Sequence, residues 1–409
     1  MSRDFMDNVK RFRKDMVLLF SAELLWALGL AMYKSFFPIH VKKLGANDII
    51  VGIIMSIPSL MGVLAVVGGI WSDFAGSKNA IVFGWAITVP APLIWMFANS
   101  WHWMLIGQIF YALTWVCAPA IALYILDYDT TGNKMAGYTF VFSAGPIGSI
   151  IAPAIGGKVL ASFGKETLYF TVFLLYLIST MCTLLLSKQP AGRKNEINVE
   201  NHYNTDIPIS SKLRNSMDSL KQMSDMIILL TILVSAQNIG ESFITLYAEE
   251  ARNFSIESIG IASTALYIGS TLFTFLFGKS EEKVKPHIAL IVGNLIFVTS
   301  VFFATQGSRT ILSLVSAFFL RGIGRSILLF SQAILAKNIT DGNNKGFILS
   351  VYIAIRNVAI GLVTYPGAFL YHINPAYPFY AEALITIAWI IIVCIRRHKS
   401  QASRYMVSS

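Results

Sequence analysis

The chain has 409 residues, of which 55% are hydrophobic and only 13% are charged. Soluble domains carry about 25% charged residues, so this composition excludes an ordinary soluble protein and indicates a polytopic membrane protein. The net charge of +10 could indicate a nucleic-acid partner, but only five of the 32 Lys and Arg residues fall in the predicted outer loops. Inner loops and tails of membrane proteins are enriched in Lys and Arg, so the charge reports orientation and we expect no nucleic-acid partner.

Apolar runs of about 20 residues recur along nearly the whole chain, and a helix of that length crosses the hydrocarbon core of a bilayer. A transmembrane β-barrel would instead show alternating segments of about ten residues. We predict an all-α, multi-pass protein of the plasma (cytoplasmic) membrane with both termini in the cytoplasm. Its twelve predicted transmembrane helices cover residues 16–41, 48–71, 79–98, 104–127, 137–161, 167–187, 225–250, 258–278, 287–305, 310–336, 346–371 and 378–396.

The first span carries two charged residues, Glu23 and Lys34. Eleven residues turn a helix by three full turns plus about 20°, so both side chains lie on one face, about 16 Å apart along the axis. The long side chain of Lys34 could reach the outer surface, or it could serve the interior of the protein. The side chain of Glu23 is shorter, and for it we expect a functional or paired role.

A segment with several glycines, residues 68–78, leads from the end of the second span to the third. Its residues Gly69, Asp73, Gly76 and Lys78 resemble the inner-loop signature of the major facilitator superfamily, although Phe74 stands where that family has Arg. The resemblance implies that this loop latches the cytoplasmic side in the outward-open state. In physical terms, glycine lets helix ends approach closely, and Asp73 can accept hydrogen bonds from the N-terminus of a neighbouring helix.

The same spacing returns in the second half of the chain as Gly278 and Glu282, with Gly278 placed 209 residues after Gly69. The two sets of six spans, 16–187 and 225–396, are each 172 residues long. An internal repeat of this kind is typical of transporters. We predict two pseudosymmetric six-helix bundles in the fold of the major facilitator superfamily. The predicted parts are an N-terminal bundle (1–187), a cytoplasmic linker (188–224) and a C-terminal bundle with a short tail (225–409).

Small residues and prolines dominate the fifth span, where Gly148, Pro153, Gly156 and Gly157 permit close helix packing. The last three resemble the helix-five signature of proton-linked antiporters of the superfamily. Related patterns occur in its uptake members, so the direction of transport stays open. The fourth span lacks the Arg that many antiporters carry there, and Gln108 is its main polar group.

Three later spans carry charge at membrane depth. Arg321 and Arg325 lie one turn apart on one face of the tenth span. A charge at that depth costs about 2.5–3.5 kcal/mol on insertion scales, so each arginine should face a cavity or a partner. Glu241 of the seventh span lies at the depth of Arg321, and Arg356 of the eleventh lies near the depth of Arg325.

Other polar residues complete the set of candidates. Asn238 precedes Glu241 in the seventh span and is a further candidate for substrate binding. We expect Glu382, near the outer end of the twelfth span, to be a peripheral packing charge. Glu241 either neutralises an arginine in a structural ion pair or takes up protons when that arginine engages substrate.

The resemblance implies that helices 1, 4, 7 and 10 line a central cavity, with helices 2, 5, 8 and 11 beside them. The charged spans follow that arrangement. Four cations outnumber two carboxylates, which favours an anionic substrate, because Arg binds carboxylate or phosphate through two parallel hydrogen bonds. The candidates for substrate binding are Lys34, Gln108, Asn238, Arg321, Arg325 and Arg356, and those for proton coupling are Glu23 and Glu241.

We therefore interpret the protein as a secondary active transporter that works by alternating access, is coupled to protons and carries a small organic anion. The main alternative is a proton-coupled exporter of several drugs or lipophilic cations. A membrane sensor without transport activity is a third hypothesis. The short tails weigh against it.

Enzyme chemistry and metal binding have no support in the sequence. The spans contain no combination of nucleophile and base, and the histidines lie in loops or near span ends. Cys117, Cys182 and Cys394 all fall within predicted spans, where we expect them to pack as small residues without disulfides. We expect no cofactor, no metal, a small-molecule substrate, protons as the coupling ion and a monomer in the lipid bilayer.

Overall fold

The protein is an all-α, multi-pass membrane protein. Its computed structural model describes residues 3–128, 134–187, 221, 223–280, 286–326 and 345–407. In the N-terminal half, the described helices are α1 (Arg3–Lys34), α2 (Phe37–Lys43), α3 (Asp48–Leu60), α4 (Leu64–Ala75), α5 (Ser77–Ala86), α6 (Pro90–Met96), α7 (Trp101–Ala112), α8 (Ala118–Tyr128) and α9 (Lys134–Leu184). In the C-terminal half, they are α10 (Ser224–Ala236), α11 (Ile244–Glu250), α12 (Ile256–Ser280), α13 (Pro286–Gln306), α14 (Ile311–Arg325), α15 (Lys345–Ile373) and α16 (Tyr377–Val407).

Within the described residues, ten helical segments are long and apolar enough to cross a membrane. The longest of them has 49 residues and is interrupted at Gly164, whose φ of +82° is a conformation that favours glycine. This segment therefore contains the fifth and sixth predicted spans. The tenth predicted span, 310–336, begins as α14, and its residues 327–336 lie outside the described part. The count of twelve spans stays a prediction, as do the bundle boundaries and the linker 188–224.

Several spans are built from two helices with an interruption between them. Lys34 ends α1, and α2 starts again with Pro38 in its first turn. In the seventh span, α10 ends at Ala236 and a 3₁₀ turn, Glu241–Phe243, precedes α11. An interruption at membrane depth exposes backbone polar groups, which a protein tolerates where they are buried in protein or line a cavity.

The two halves pack along two helix pairs, α9 with α12 and α3 with α15. In the first pair, a Cβ added to Gly157 would lie 3.2 Å from the Cα of Gly260. In the second, a Cβ added to Gly52 would lie 2.5 Å from the Cβ of Ala368. Small residues thus let the halves touch backbone to backbone. We call the end of the bundle that bears residues 41–48, 249–257 and 371–377 the outer end, following the predicted orientation.

The helix-five residues contact α1 as well as the other half. A Cβ on Gly156 would lie 2.1 Å from the carbonyl oxygen of Met32, and one on Gly148 would lie 3.0 Å from the backbone nitrogen of Leu28. Pro153 lies inside α9, and its carbonyl oxygen approaches Gly260. The second half of α1 therefore packs directly on the backbone of α9.

Candidate functional site

A cavity of about 190 Å³ lies between the two halves, and helices of both halves line it. Among the described residues, three charged side chains face it: Lys34 from the N-terminal half, and Glu241 and Arg325 from the C-terminal half. Its polar and aromatic walls include Tyr33, Ser59, Gln108, Tyr111, Asn238, Ser242, Thr245, Tyr267 and Phe318. The cavity therefore combines a few charges with an amphipathic wall, as ligand sites commonly do.

Lys34 and Glu241 both occupy helix interruptions. Lys34 is the last residue of α1, and Glu241 opens the 3₁₀ turn between α10 and α11. Lys34 makes no direct hydrogen bond or ion pair with the described residues, but Glu241 attracts its charge and Arg325 repels it across the cavity. The side chain of Lys34 could have reached the outer surface or faced the interior of the protein. The structure places it on the wall of the interior cavity, and its role in substrate binding stays a prediction.

Arg321 lies behind the cavity wall at the centre of an ion network. Its side chain is 2% exposed, and its Nε donates to Oε2 of Glu241 at 2.9 Å. Its Nη1 and Nη2 donate to Oε2 and Oε1 of Glu382 at 2.9 and 2.7 Å. The ring of Phe297 lies 5.0 Å from its Cζ. Two carboxylates thus bind the guanidinium group of Arg321. A substrate-binding residue would have to line the cavity, and Arg321 does not line it.

Glu241 links that buried network to the cavity. Its second oxygen, Oε1, accepts a hydrogen bond from Nη1 of Arg325, whose side chain is 29% exposed. Arg325 is therefore the arginine that faces the cavity, and Glu241 is shared between two arginines one turn apart. The match in depth between Glu241 and Arg321 that the sequence indicated corresponds to a direct contact.

The expectation that Glu382 is a peripheral charge is wrong. Its side chain is fully buried, and it holds Arg321 through two parallel hydrogen bonds. The sequence could have indicated this from charge balance, because two arginines one turn apart at membrane depth need more than one carboxylate nearby.

The remaining candidates lie at different distances from the cavity. Gln108 lines it, and its Oε1 is buried without a hydrogen-bond partner among the described residues. Asn238 also lines it, while its Nδ2 donates to the carbonyl oxygen of Val234 at 2.7 Å. Glu23 makes no hydrogen bond or ion pair with the described residues, and it shares the face of α1 that carries Leu30 and Lys34 to the cavity.

Arg356 does not face the cavity. Its Nη2 lies 3.2 Å from Oδ1 of the adjacent Asn357, and its Cζ lies 6.0 Å from the ring centre of Tyr352. Equal depth in the membrane did not bring it to Arg325, because two helices at the same depth can present different faces. The structure thus leaves Lys34 and Arg325 as the cations on the described cavity wall.

The inner-loop motif is described in part. Gly76 has a φ of +85°, which favours glycine, and it turns the chain from α4 into α5. Lys78 donates to the carbonyl oxygens of Leu184 and Leu186 at the end of the sixth span. The close approach that we assigned to Gly69 belongs to its neighbour Gly68, where an added Cβ would lie 1.8 Å from the carbonyl oxygen of Val116, whereas Gly69 faces open space.

Two members of the motif and of its repeat cannot be placed. The side chain of Asp73 lies outside the described side chains, and Glu282 lies outside the described residues. Gly278 belongs to α12, but its surroundings are not described.

A second group of charges, the outer ion cluster, joins the two halves at the outer end. Nζ of Lys42 donates to Asp48 of its own half at 2.6 Å and to Glu250 of the other half at 2.7 Å. Further contacts between the halves join Lys43 to Glu249 at 2.5 Å and Nδ1 of His372 to Asp48 at 3.1 Å. Glu249 and Glu250 thus bind the two lysines across the contact between the halves.

Lys42 is the best-connected member of the outer ion cluster. Burial lowers the pKa of its amine, but hydrogen bonds and attraction from Asp48 and Glu250 outweigh this effect and raise the pKa above its ordinary value. The ring of Tyr371 lies 5.5 Å from Nζ and gives a further favourable contact with the cation. Lys42 therefore stays charged throughout the neutral range and holds the outer ends together.

Other kinds of site find no support among the described residues. These residues contain no group of three or more His, Cys, Asp and Glu side chains that could hold a metal ion. Cys117, Cys182 and Cys394 are free thiols.

Two relatives are named for multidrug resistance. The chain is 24% identical over 353 residues to multidrug resistance protein 2 of Bacillus subtilis (strain 168), which covers 81% of this chain and 82% of that protein. It is 22% identical over 376 residues to a homologue of the multidrug resistance efflux pump PmrA of Lactococcus lactis subsp. lactis (strain IL1403), with 88% of each chain covered.

Solved structures share the fold at lower identity. The nucleoside transporter NupG superposes with a TM-score of 0.72 at 14% identity and covers 93% of this chain and 96% of its own. A peptide transporter of the POT family bound to 5-aminolevulinic acid gives 0.71 at 12% identity, covering 95% and 96%. The human organic anion transporter MFSD10 gives 0.63 at 12% identity, covering 93% and 99%.

The family itself is shown by a sequence model of the Major Facilitator Superfamily, which matches residues 19–256 and 226–405. These two matches include both halves and all the charged residues of the cavity and the outer ion cluster. The chain is therefore a transporter that belongs to the major facilitator superfamily.

Proposed function

We propose that the protein is a proton-coupled secondary transporter that carries small organic anions through the cavity by alternating access. One observation carries this proposal: Lys34 faces the cavity without a direct ion pair to any described residue, on the same wall as Arg325 and Glu241. Among the described residues around the cavity, the three cations Lys34, Arg321 and Arg325 lie near two carboxylates, Glu241 and Glu382. One positive charge therefore remains to attract an anion.

The proposed binding step uses both cations on the wall. A substrate carboxylate would accept hydrogen bonds from Lys34 and Arg325, and bonds between charged groups are stronger than neutral ones. Arg325 must then share or release Glu241, which retains its contact with Nε of Arg321. Tyr33, Tyr111 and Tyr267 would pack against the apolar part of the molecule. The cavity thus suits an anion attached to an aromatic or aliphatic body.

The proposed cycle links this step to protons and to the outer end. Glu241 and Glu23 are the candidates that take up a proton while substrate occupies the cations. The outer ion cluster holds the outer ends of the halves together, so it must open once in each cycle. Binding on one side and release on the other then require only that the two halves rock about the cavity.

The proposal is tested in proteoliposomes with an imposed pH gradient and labelled benzoate, citrate, uridine and tetraphenylphosphonium as probes. We expect flux of at least one of the two carboxylates that collapses when a proton ionophore is added. Lys34→Gln with Arg325→Gln should abolish this flux, whereas Arg356→Gln should preserve it. Equal carboxylate flux in the Lys34→Gln/Arg325→Gln variant and the parent, or flux of the other probes alone, would contradict an anion site.

A second candidate function is the export of lipophilic compounds, and the relatives named as multidrug resistance proteins favour it. The aromatic wall of the cavity is compatible with lipophilic cations, as is the carboxyl group of Glu23, which no cation of the described part binds. Drug susceptibility of cells that lack or overproduce the protein separates the two candidates. For this second function, Lys34→Gln should increase the export of ethidium, because it removes a repelling charge, and Glu23→Gln should abolish it.

A further inference from the structure

Glu382 is the least expected charge in the molecule. It lies on α16, in a span that the family resemblance places outside the ring of cavity-lining helices, yet its side chain is fully buried. Both of its oxygens bind Arg321, at 2.7 and 2.9 Å, and the geometry is that of a two-pronged carboxylate–guanidinium pair. A buried pair of this kind is held firmly, because removing either partner leaves an uncompensated charge.

Glu382 also binds the interruption of the seventh span. Its Oε1 accepts a hydrogen bond at 2.8 Å from the backbone N–H of Gly240, the residue before Glu241. Gly240 packs closely against α16: a Cβ added to it would lie 2.8 Å from the ring of Phe379 and 3.2 Å from Cδ of Glu382. One carboxylate thus fixes both the arginine behind Glu241 and the backbone that carries Glu241.

The division of hydrogen bonds in the network has a direct consequence for Glu241. Glu382 occupies Nη1 and Nη2 of Arg321 and leaves Nε for Glu241. Glu241 therefore binds Arg321 through one oxygen only, and its other oxygen reaches Arg325 at the cavity. Without Glu382, Arg321 could take both oxygens of Glu241 and withdraw it from Arg325.

We propose that Glu382 is a positioning residue, which directs Glu241 towards Arg325 and so sets the electrostatic potential of the transport cavity from outside its wall. The inference goes beyond the proposed function, because it concerns the ion network and holds whichever substrate the cavity takes. Glu382 itself does not line the cavity.

The test measures the potential at the cavity wall without a substrate. Ser242 lines the cavity next to Glu241 and serves as the reporter position, as Ser242→Cys in a background with Cys117→Ala, Cys182→Ala and Cys394→Ala. The purified full-length protein in detergent reacts with the anionic reagent sulfonatoethyl methanethiosulfonate or with its cationic trimethylammonium counterpart. The ratio of the two reaction rates reports the local electrostatic potential. The accessibility of the cysteine affects both rates equally and therefore cancels in the ratio.

Two variants give opposite expected shifts. Glu382→Gln lets Glu241 move to Arg321, so the exposed Arg325 should raise the ratio of anionic to cationic reactivity about fivefold. Arg321→Gln with Glu382→Gln leaves the net charge unchanged and removes both charges of the buried pair together, so it should fold even if the single variant does not. In this double variant Arg325 is the remaining described partner of Glu241. The ratio of anionic to cationic reactivity should therefore fall below that of the parent.

Two controls separate positioning from other roles. Glu382→Asp retains the carboxylate and should keep the ratio near the parent value, and Thr386→Val alters a fully buried residue one turn away on the same helix. A ratio in the Arg321→Gln/Glu382→Gln variant equal to that of the parent would overturn the proposal, because Glu382 would then act only as a countercharge. A Glu382→Gln variant that folds and matches Thr386→Val would overturn it as well.

Discussion

Lys42 and Glu250 join the two halves of the transporter at the outer end: Nζ of Lys42 donates to Oε2 of Glu250 at 2.7 Å, although the residues are 208 positions apart in the chain. Asp48 binds the same ammonium group from the other side. Because the pair crosses the line along which the halves must separate, it stabilises the state in which the outer end is closed.

The first prediction concerns the strength of this contact. Lys42→Ala should increase outer-side labelling of a cavity cysteine, Thr245→Cys, by an impermeant maleimide on intact cells, because the outer end opens more often. Lys43→Ala is the matched control: Lys43 has one described carboxylate partner and is 61% exposed, and such surface pairs contribute about 0–1 kcal/mol. Equal labelling of the two variants would show that Lys42 does not hold the halves together.

The second prediction concerns pH. The folded-state pKa of Lys42 is raised above the ordinary value of 10.5, so the stabilisation by its charge is fully present below that value and is lost only as pH rises through the folded-state pKa. Labelling of the Thr245→Cys reporter should therefore respond to Lys42 equally between about pH 6 and pH 9. Lys42→His should introduce a new dependence, with labelling rising as pH increases through about 6.5, the ordinary pKa of histidine. No difference between His and Lys at this position would contradict the ionic role.

The third prediction concerns substrate affinity. Lys34→Gln should raise the KM for a transported carboxylate about tenfold or more, because a hydrogen bond between charged groups contributes about 1.5–3 kcal/mol. Arg356→Gln should leave KM unchanged, because Arg356 contacts Asn357 and Tyr352 away from the cavity wall. The measurement is initial uptake in proteoliposomes as a function of substrate concentration. Equal KM values for the two variants would show that the place of Lys34 on the cavity wall does not contribute to substrate binding.

The fourth prediction concerns the packing of α1 on α9. Gly156→Ala places a Cβ about where the carbonyl oxygen of Met32 lies, so it should lower stability by about 1–3 kcal/mol and the melting temperature in detergent by several degrees. Gly145→Ala in the same helix is the control, since an added Cβ there meets no atom within 4 Å. It should be neutral or slightly stabilising, because Ala favours helix over Gly.

Depth along a helix could be predicted from the sequence, whereas rotation about its axis could not. The fixed rise per residue sets the length of a span, and it placed Glu241 at the same membrane depth as Arg321. The same reasoning placed Arg356 level with Arg325, but the eleventh span presents that residue elsewhere. Glu382 was misjudged for a related reason: its helix is apolar on most sides, so the sequence does not show which side faces the bundle.

Contacts between distant loops could not be predicted from the sequence either. Lys42, Lys43, Glu249 and Glu250 lie at span ends, where charged residues are ordinary. The internal repeat makes their two loops equivalent in the halves, but it does not predict that the side chains of these loops bind each other. The pairing follows from how the halves meet, which depends on small residues such as Gly157 and Gly260. In the inner-loop motif, the glycine that packs closely on another helix is Gly68, one residue before the motif position Gly69. Only the three-dimensional contact distinguishes the two.

The last prediction concerns proton coupling. Glu23 lies on the face of α1 that leads to Leu30 and Lys34, and no described cation binds it, whereas Glu241 is held by two arginines. Glu23→Gln preserves the shape of the side chain and removes its exchangeable proton. We expect this variant to lose accumulation driven by a pH gradient while it retains exchange of labelled for unlabelled substrate, since exchange requires binding and rocking but no net proton movement. Glu241→Gln should impair both, because it leaves Arg325 without a described carboxylate partner and weakens the hold on Arg321. If Glu23→Gln instead accumulates substrate as the parent does, the proton is carried elsewhere, and Glu241 becomes the remaining candidate on the described cavity wall.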